Sequence, residues 1–470
     1  MDKLLYFIKR FIPNKLFKAM QPAYHYFLSW LSAIINNRPS EKMIVIGVTG
    51  TTGKTTSVYL IARMLEAAGY KTGYTSTAIF NDGKKEWLND KKMTMAGRIF
   101  TQRMLKKMAG NGCCFAVVET TSEGIRQFRH RFINYDILVF TGLYEEHIES
   151  HGSFENYKNA KGNLFKYLKK CKHKYIDDNH KVVKALTGIK KIDLNCVKKT
   201  IIANGDDEHV DYFISFWAEK KIIYTRKEES DNLNEHETVK YGNIEAKENG
   251  TSFRYNNIIL NLQLLGAFNA INAMNAVCVG MSQHIKNETI KKGLEGIGGV
   301  AGRMEKINEG QNFTVIVDYA FEPKAVGKLY ESIALIGHKK IIHVLGSAGG
   351  GRDVARRPVL GQIAGEKADY VVITNEDPYD DDPETIIDQI AFGAEKTNKK
   401  RNKDLFLVLD RRQAIKKALL LAEQGDIVLV TGKGSEQAIC GAKGEKVGWD
   451  DRAVIRGLLK SEDFLKNNLK

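Results

Sequence analysis

The sequence predicts an α/β protein with two mostly parallel sheets and a short helical arm at the N-terminus. Strands and helices alternate twice along the chain, from Met43 to about Leu143 and again beyond residue 313. A glycine-rich stretch at 295–302 separates the two regions, and 470 residues exceed what one hydrophobic core normally holds. We therefore expect an N-terminal segment at 1–42, a central domain at 43–300 and a C-terminal domain at 301–470.

Composition limits the classes of function. The chain has 43% hydrophobic and 27% charged residues, which is typical of soluble globular proteins, and its net charge of +15 favours anionic substrates. Its basic residues are not interleaved with aromatic ones as single-stranded nucleic acid requires, so we expect no nucleic-acid partner. The six cysteines show no C-x-x-C spacing, which argues against a zinc ribbon or a disulfide framework and favours a cytoplasmic location.

The N-terminal segment is basic and amphipathic, with seven Lys or Arg against two acids in residues 1–42. Its uncharged run at 19–37 is too polar to predict a membrane span. Tyr24, Phe27, Leu28, Leu31 and Ile35 repeat at helical spacing, as in helices that lie on a membrane surface. A helical arm packed on the main body would show the same pattern. Peripheral membrane contact and a packed arm are therefore both open.

The central domain is predicted to be an open sheet wrapped by helices, with β-structure appended to it. In chain order its predicted elements are a strand at 43–48, helices at 57–68 and 99–108, strands at 115–119 and 137–140, short β-rich runs at 200–203, 221–225, 252–255 and 258–262, and a helix at 269–280. The charged, Asn-rich stretch at 226–250 predicts an exposed loop.

The C-terminal domain is predicted to be a second α/β unit of Rossmann-like appearance. Its strands are expected at 313–318, 341–346, 370–374 and 427–431, alternating with helical patterns.

A variant phosphate loop is the most informative motif. Residues 47–56 read Gly-Val-Thr-Gly-Thr-Thr-Gly-Lys-Thr-Thr between the first strand and the first helix of the central domain. Such a turn aims backbone N–H groups at phosphates, Lys54 adds a charge, and the Thr55 hydroxyl can reach Mg²⁺. ATP is the predicted ligand. The predicted contacts are Gly50, Thr51, Thr52, Gly53, Lys54, Thr55 and Thr56.

Polar residues follow the next two buried strands. Glu119 ends one strand, where a carboxylate can hold Mg²⁺ beside the phosphates. Glu146 and His147 follow the other strand and are candidate metal or phosphate contacts. Lys161 lies fourteen residues further on, within a predicted helix.

The order of these motifs resembles the Mur ligase family. The resemblance extends from about Met43 to the C-terminus, and within the family it is strongest to the synthetases that add the third amino acid to UDP-N-acetylmuramoyl-L-alanyl-D-glutamate. The segments that carry it, in chain order, are 50–56, 119–122, 141–147, 157–161, 266–272, 302–305, 318–323, 351–358, 376–379 and 432–436.

The resemblance implies an ATP-dependent amide ligase of peptidoglycan precursor synthesis. The γ-phosphoryl of ATP passes to a carboxylate of the acceptor, and an amine then attacks the acyl phosphate. Lys54, Glu119, His147 and Lys161 are the implied catalytic residues. Thr55, Glu119 and His147 are the implied Mg²⁺ ligands, together with a carbamoylated Lys161 that would position a second ion.

The resemblance also implies substrate contacts. Asn269 and Asp318 would contact the adenine and ribose sides of ATP. The residues matched to the muramoyl-peptide are Thr94, Thr121, Gln127 and Arg129. Those matched to the incoming amino acid, which is diaminopimelate, lysine or a similar compound, are Arg352, Glu376, Asp377, Pro378, Tyr379, Gly432 and Glu436.

Two departures from the family pattern leave alternatives open. Diaminopimelate-adding members have an arginine where this chain has Tyr379, and the 42 residues before the first strand are too few for the family's uridine-binding domain. A related ligase could act on another wall-polymer precursor or extend folate with glutamate. A scaffold that binds nucleotide without catalysis is a third hypothesis.

Overall fold

The computed structural model describes residues 14–146, 148–183, 194–227, 236–351, 354–462 and 464, and it describes only the backbone at 14–19, 148 and 149. Two large sheets dominate these residues, one on each side of residue 300. The predicted α/β class is confirmed.

The central sheet has eleven strands within the described residues. They are β1 Ile44–Thr49, β2 Thr72–Thr75, β3 Ile79–Asn81, β4 Glu86–Leu88, β5 Phe115–Glu119, β6 Ile137–Phe140, β10 Thr200–Asn204, β11 Lys220–Thr225, β12 Glu237–Lys247, β13 Gly250–Tyr255 and β14 Ile258–Leu262. Their spatial order is β14-β13-β12-β11-β10-β6-β1-β5-β2-β3-β4. The strands from β2 to β12 in the middle of this order pair in parallel. A small separate sheet contains β7 Tyr175–Ile176, β8 Val182–Val183 and β9 Asn195–Cys196.

Helices cover both faces of the central sheet because its inner strands are apolar on both sides. In β1, Ile44, Ile46 and Val48 pack into one core and Val45 into the other. The helices in this half of the chain are α1 Asn14–Ile35, α2 Lys54–Ala67, α3 Arg98–Gly110, α4 Ser122–Arg126, α5 Ile148–His151, α6 Phe154–Leu168, α7 Val210–Ile214, α8 Phe268–Ser282 and α9 Asn287–Glu295.

The register of the central sheet positions the site. β1 pairs in parallel with β5 and β6, with Val48 opposite Glu119 and Thr49 opposite Phe140. The segments that follow these strands therefore share one edge, as expected for a ligand site in an open parallel sheet.

The second sheet contains β15 Glu305–Ile307, β16 Thr314–Val317, β17 Ile341–Leu345, β18 Tyr370–Ile373, β19 Leu405–Leu407 and β20 Ile427–Val430, in the order β15-β16-β20-β17-β18-β19. A hairpin adds β21 Ala438–Cys440 and β22 Lys446–Gly448. The helices here are α10 Pro323–Ile333, α11 Arg356–Lys367, α12 Pro383–Glu395, α13 Arg411–Leu421 and α14 Asp451–Leu459. Apolar clusters lie on both faces of this sheet, consistent with the predicted Rossmann-like unit.

Helix α1 packs on the central domain along one side. Ser29 and Ser32 are buried, and their hydroxyls donate to the carbonyls of Phe128 (2.9 Å) and Arg98 (3.3 Å). Several large side chains of α1 are exposed, namely Met20, Tyr24, Tyr26, Phe27, Trp30, Ile34 and Ile35, although the ring of Tyr26 also contacts Phe128 and Phe132. The packed-arm interpretation therefore holds for one side of α1. No helix in the described ranges is both long and apolar enough to cross a bilayer.

One predicted element is wrong. Residues 237–247 of the expected loop at 226–250 form β12, which pairs with β11 and β13. Val239 and Tyr241 are buried on one face of this strand while charged residues alternate toward solvent. The high charge of the solvent face concealed the period-2 pattern. Residues 228–235 of the same stretch lie outside the described ranges.

Candidate active site

The phosphate loop connects β1 to α2 in a conformation that requires glycine. Gly50 has φ 157° and Gly53 has φ 78°, and a Cβ on Gly53 would lie 2.4 Å from Oδ1 of Asn272. Neighbouring segments hold the loop, since Thr141 donates to the Thr52 carbonyl at 2.6 Å. The N-terminus of the fourteen-residue helix α2 follows at once, which is the geometry of a phosphate cradle. The loop therefore fits the triphosphate of ATP.

Glu119 is the carboxylate nearest to this loop. It is buried, and it accepts hydrogen bonds from the Thr55 hydroxyl (3.0 Å), the Thr77 backbone N–H (2.7 Å) and the Thr77 hydroxyl (3.0 Å). Thr55 and Glu119 together offer Mg²⁺ two hard oxygen ligands. Within the described residues, no group of three or more His, Cys, Asp or Glu side chains forms a metal site.

Two lysines, the half-buried Lys54 and the buried Lys161, donate hydrogen bonds to the loop backbone. Lys54 donates to the Thr51 carbonyl at 2.6 Å, and burial lowers its pKa. Lys161 is 2% exposed, donates to the Gly50 carbonyl at 2.8 Å, and its ammonium lies 4.4 Å from the ring centre of Tyr157. Burial, followed by the charge of Lys54, lowers the pKa of Lys161 well below its usual value. The environment of Lys161 thus favours a neutral amine.

A single cavity of about 880 Å³ extends from the phosphate loop across to the second sheet. The two halves touch at its walls. Arg303 donates to the Thr55 hydroxyl at 3.2 Å and packs over the ring of Tyr319, and the Tyr144 hydroxyl donates to Glu322 at 3.4 Å. The site therefore belongs to both halves of the chain.

Asn269 and Asp318 both line this cavity. Asn269 donates to the Leu265 carbonyl at 2.8 Å, and Asp318 accepts from the backbone N–H groups of Met304 and Ala320, each at 2.7 Å. Burial raises the pKa of Asp318. The structure places both residues on the wall of the same cavity as the phosphate loop.

The residues matched to the muramoyl-peptide all lie on the cavity wall, where local hydrogen bonds hold them. Thr94 accepts from Thr77 at 2.9 Å, and Thr121 caps α4 by accepting from the Gly124 N–H at 3.1 Å. Arg129 donates to Gln127 at 2.7 Å. All four matched residues, Thr94, Thr121, Gln127 and Arg129, line the cavity.

The residues matched to the incoming amino acid lie at the other end of the cavity. Glu376, Asp377, Tyr379, Gly432 and Glu436 line it. Burial raises the pKa of Glu376. Pro378 is not among the lining residues. Its carbonyl oxygen packs so closely on Gly349 that a Cβ added to Gly349 would lie only 2.1 Å from it.

Two predicted site residues, His147 and Arg352, lie outside the described residues, so their predicted roles stay predictions. Lys92, His151 and Arg303 also line the cavity, and no role was predicted for them from the sequence. His151 hydrogen-bonds to Ser122 at 3.1 Å, and burial lowers its pKa. Arg303 sits inside the Gly302–Glu305 motif, which was a usable signal, whereas nothing near Lys92 in the sequence distinguishes it from other surface lysines.

Comparison with known proteins identifies the family. Residues 48–280 match the Mur ligase middle domain and residues 302–434 match the Mur ligase, glutamate ligase domain. A UDP-N-acetylmuramyl-tripeptide synthetase of Roseiflexus sp. is 34% identical over 440 residues, covering 92% of this chain and 81% of the relative. The chain belongs to the Mur ligase family. The N-terminal domain of the family is not detected in it.

One further relative and one solved structure extend the comparison. A UDP-N-acetylmuramoyl-L-alanyl-D-glutamate–2,6-diaminopimelate ligase of Syntrophomonas wolfei is 31% identical, covering 93% of this chain and 82% of the relative. The solved folylpolyglutamate synthase of Mycobacterium tuberculosis has a TM-score of 0.64 at 14% identity, covering 92% of this chain and 95% of that one. The latter likeness is one of fold alone.

The predicted family and activity class are confirmed. The chain is an ATP-dependent amino-acid ligase of peptidoglycan precursor synthesis, as its curated relatives are. Mur ligases use ATP and Mg²⁺, and the phosphate loop with Thr55 and Glu119 fits both.

Proposed function

We propose that this enzyme joins an amino acid to the terminal carboxylate of UDP-N-acetylmuramoyl-L-alanyl-D-glutamate. One observation carries the proposal. A single cavity connects the phosphate loop, the group matched to the muramoyl-peptide and the acidic residues matched to the amino acid. The two curated relatives with 31% and 34% identity carry names for this acceptor or its product. The domain limits 43–300 and 301–470 are proposed with it.

Charge stabilisation is the proposed task of the phosphate loop. The backbone N–H groups of 50–55 and the Lys54 ammonium would bind the transferring phosphoryl group, on which negative charge is spread in the transition state. Thr55, Glu119 and His147 would hold Mg²⁺, which neutralises phosphate charge when it is bound. Arg303 reaches the Thr55 hydroxyl from the C-terminal half, so domain closure would bring an additional cation to the same place.

Carbamoylation of Lys161 is proposed on the basis of its surroundings. A neutral lysine amine adds to CO2 and releases a proton, which gives an anionic carbamate. The buried, low-pKa amine of Lys161 beside the phosphate loop suits this reaction. The carbamate would help to hold a second Mg²⁺, whereas an ammonium would repel it. Labelled bicarbonate should produce a carbamate resonance in the ¹³C NMR spectrum of the wild type that is missing from Lys161→Arg.

The deciding experiment is phosphate release from ATP and Mg²⁺ with UDP-N-acetylmuramoyl-L-alanyl-D-glutamate and amino acids added one at a time. Release that requires both the acceptor and one amino acid supports the proposal and identifies the third residue. Release that requires a folate and glutamate, or another wall-polymer precursor, would replace the proposed acceptor. ATP binding without any release would favour the scaffold hypothesis.

The proposed location is the cytoplasm, with contact between residues 1–42 and the membrane surface. The exposed apolar side chains of α1 and the excess of basic residues in this segment support contact with an anionic bilayer. Two equally exposed tryptophans provide a matched test, Trp30 at 39% and Trp217 at 40%. Trp30→Ser should reduce flotation with anionic liposomes, and Trp217→Ser should not. No flotation of the intact protein would refute the contact.

A further inference from the structure

A closed group of four charged side chains lies where the two halves of the enzyme meet. The Lys92 ammonium contacts Asp377 at 2.7 Å and Glu436 at 2.5 Å. The Lys433 ammonium contacts the same two carboxylates at 2.9 and 2.7 Å. We call these residues the interdomain ion cluster. None of the four side chains is more than 14% exposed, so their charges interact with little screening by water.

The two lysines of the interdomain ion cluster have different origins. Lys433 is fully buried and belongs to the same loop as Glu436, just after β20. Lys92 comes from the central half, two residues before Thr94. It has φ 53°, a left-handed conformation that lysine rarely adopts and that persists where other contacts determine it. A movement of the Lys92 loop would therefore take Lys92 out of the cluster without displacing either acid, whereas a movement of the Lys433 loop would also displace Glu436.

The charge balance shows what could replace Lys92. Two ammonium groups neutralise two carboxylates, so loss of Lys92 would leave one buried negative charge without a partner. Asp377 and Glu436 are committed to further bonds, since they also accept from the Cys440 N–H (2.7 Å) and the Tyr319 hydroxyl (3.3 Å). Another cation at the position of Lys92 would restore neutrality without moving either acid.

A second, independent feature points to a ligand at this place. Glu376 adjoins Asp377, is 4% exposed and lines the same cavity. Within the described residues its Oε2 is buried without a hydrogen-bond partner. Buried polar atoms in folded proteins are normally paired, and an exception in a cavity indicates a missing partner. A ligand that carries a hydrogen-bond donor would supply one.

We propose that the Lys92 ammonium occupies the subsite for a side-chain ammonium of the incoming amino acid and must move out when that amino acid binds. The inference rests on the proposed ligase function and deepens it by assigning a residue that limits access to the amino-acid subsite. Lys92 is accordingly a specificity-determining residue, an internal competitor for diamino acids.

The chemistry of the reaction requires that this ammonium is not the nucleophile. An amine attacks an acyl phosphate through its free electron pair, so the reacting α-amine must be unprotonated. Carboxylates within hydrogen-bond distance of an amine, as Asp377 and Glu436 are of Lys92, favour the charged form of that amine. Burial by itself lowers the pKa of Lys92, but Glu436 and Asp377 outweigh burial and raise it above its usual value. The group that replaces Lys92 therefore keeps its proton and belongs to the side chain of the substrate.

The test compares Lys92→Ala and Lys92→Gln with the neighbouring control Lys91→Ala. The Lys91 side chain is 41% exposed and pairs only with Asp90 among the ion pairs of the described residues. Phosphate release would be measured with the acceptor, ATP and either lysine, ornithine or the neutral isostere norleucine. A competitor that fills the subsite nine-tenths of the time raises the apparent KM about tenfold. Both Lys92 variants should therefore lower the KM for lysine or ornithine about tenfold, with no gain for norleucine.

Each remaining outcome has one interpretation. An unchanged or raised KM for the diamino acid in both folded Lys92 variants would overturn the inference and leave the proposed function intact. An equal fall in KM for norleucine would overturn it too, because removal of a general obstruction needs no ammonium subsite. Absence of turnover in the wild type with every amino acid would overturn the proposed function and the inference together. Lys91→Ala should match the wild type in all assays.

Discussion

The two ends of the active-site cavity are built on different principles. At the nucleotide end, backbone N–H groups of one loop and a few side chains of the central sheet converge, and Glu119 is satisfied by Thr55 and Thr77 from the same domain. At the amino-acid end, the acids come from the C-terminal domain while Lys92 is contributed by the central domain. The phosphate loop and Glu119 are therefore held within the central domain, and the C-terminal domain adds Arg303 and Asp318 to the nucleotide end. The amino-acid end depends more directly on how the domains meet, because its ion pairs join the two domains.

The largest expected loss of activity at the nucleotide end follows from replacing Lys54. Lys54→Ala removes the charge beside the phosphates, and removal of one such stabilising group typically lowers kcat by roughly a hundredfold to a thousandfold. Phosphate release measures this effect. Lys84→Ala, at an exposed lysine of the same domain, should retain wild-type turnover. Substantial activity in Lys54→Ala would contradict the role of the loop in phosphoryl transfer.

Neighbouring acids at the amino-acid end should respond in opposite directions. Asp377 is paired with two lysines, and although burial raises its pKa, Lys433 and Lys92 outweigh burial and lower it. Asp377→Asn should cost about 3 kcal/mol in free energy of unfolding at neutral pH, because buried cations lose a partner. The folded pKa of Asp377 is depressed, so its contribution is present above its unfolded value of 3.8 and is lost as the pH falls through the folded pKa.

Glu376 provides the matched contrast. Burial raises its folded pKa, so the native state binds a proton more tightly than the unfolded chain, and stability is lost as the pH rises from the unfolded value of 4.5. Glu376→Gln removes this pH-dependent loss of stability. At neutral pH the variant should therefore unfold at the same urea concentration as the wild type or at a higher one. Urea titrations of both variants at acidic and neutral pH would check the signs. A large destabilisation by Glu376→Gln would disprove the contrast.

A glycine pair tests how rigidly the nucleotide end is built. Gly53→Ala places a Cβ 2.4 Å from Asn272 Oδ1 at a residue with φ 78°. The variant should lose about 1–3 kcal/mol of free energy of unfolding and should bind ATP more weakly. Gly110→Ala is the control, because a Cβ there meets no atom within 4 Å and alanine should stabilise by about 0.4–1 kcal/mol. Urea unfolding and ATP titration measure both. Equal stabilities for the two variants would refute the steric argument.

The smallest expected effect lies at a contact between the domains. Tyr144→Phe removes a hydrogen bond to Glu322 whose 3.4 Å length is beyond the usual range, so it should change stability by about 0.5 kcal/mol or less. Turnover should stay near that of the wild type. A large loss of activity would contradict this expectation and would mean that the contact is needed for turnover.

The predicted elements of the central and C-terminal sheets agree with the structure because their signals are local. Strands such as 115–119, 137–140 and 258–262 are apolar runs bounded by turn residues. The edge hairpin of β3 and β4 was not predicted, and β12 was expected to be a loop. Edge and appended strands carry polar side chains toward solvent, and their pairing partners lie far away in the sequence.

The sequence by itself determined the family, the α/β class and the phosphate loop, since each depends on residues that adjoin one another in the chain. Only the tertiary structure decided that Lys92 meets Asp377 and Glu436, which lie 285 and 344 residues further along the chain. It also decided that Lys161 is buried against the Gly50 carbonyl. Burial and long-range charge pairing arise from the packing of the domains. The residues next to an isolated lysine in the sequence do not predict either of them.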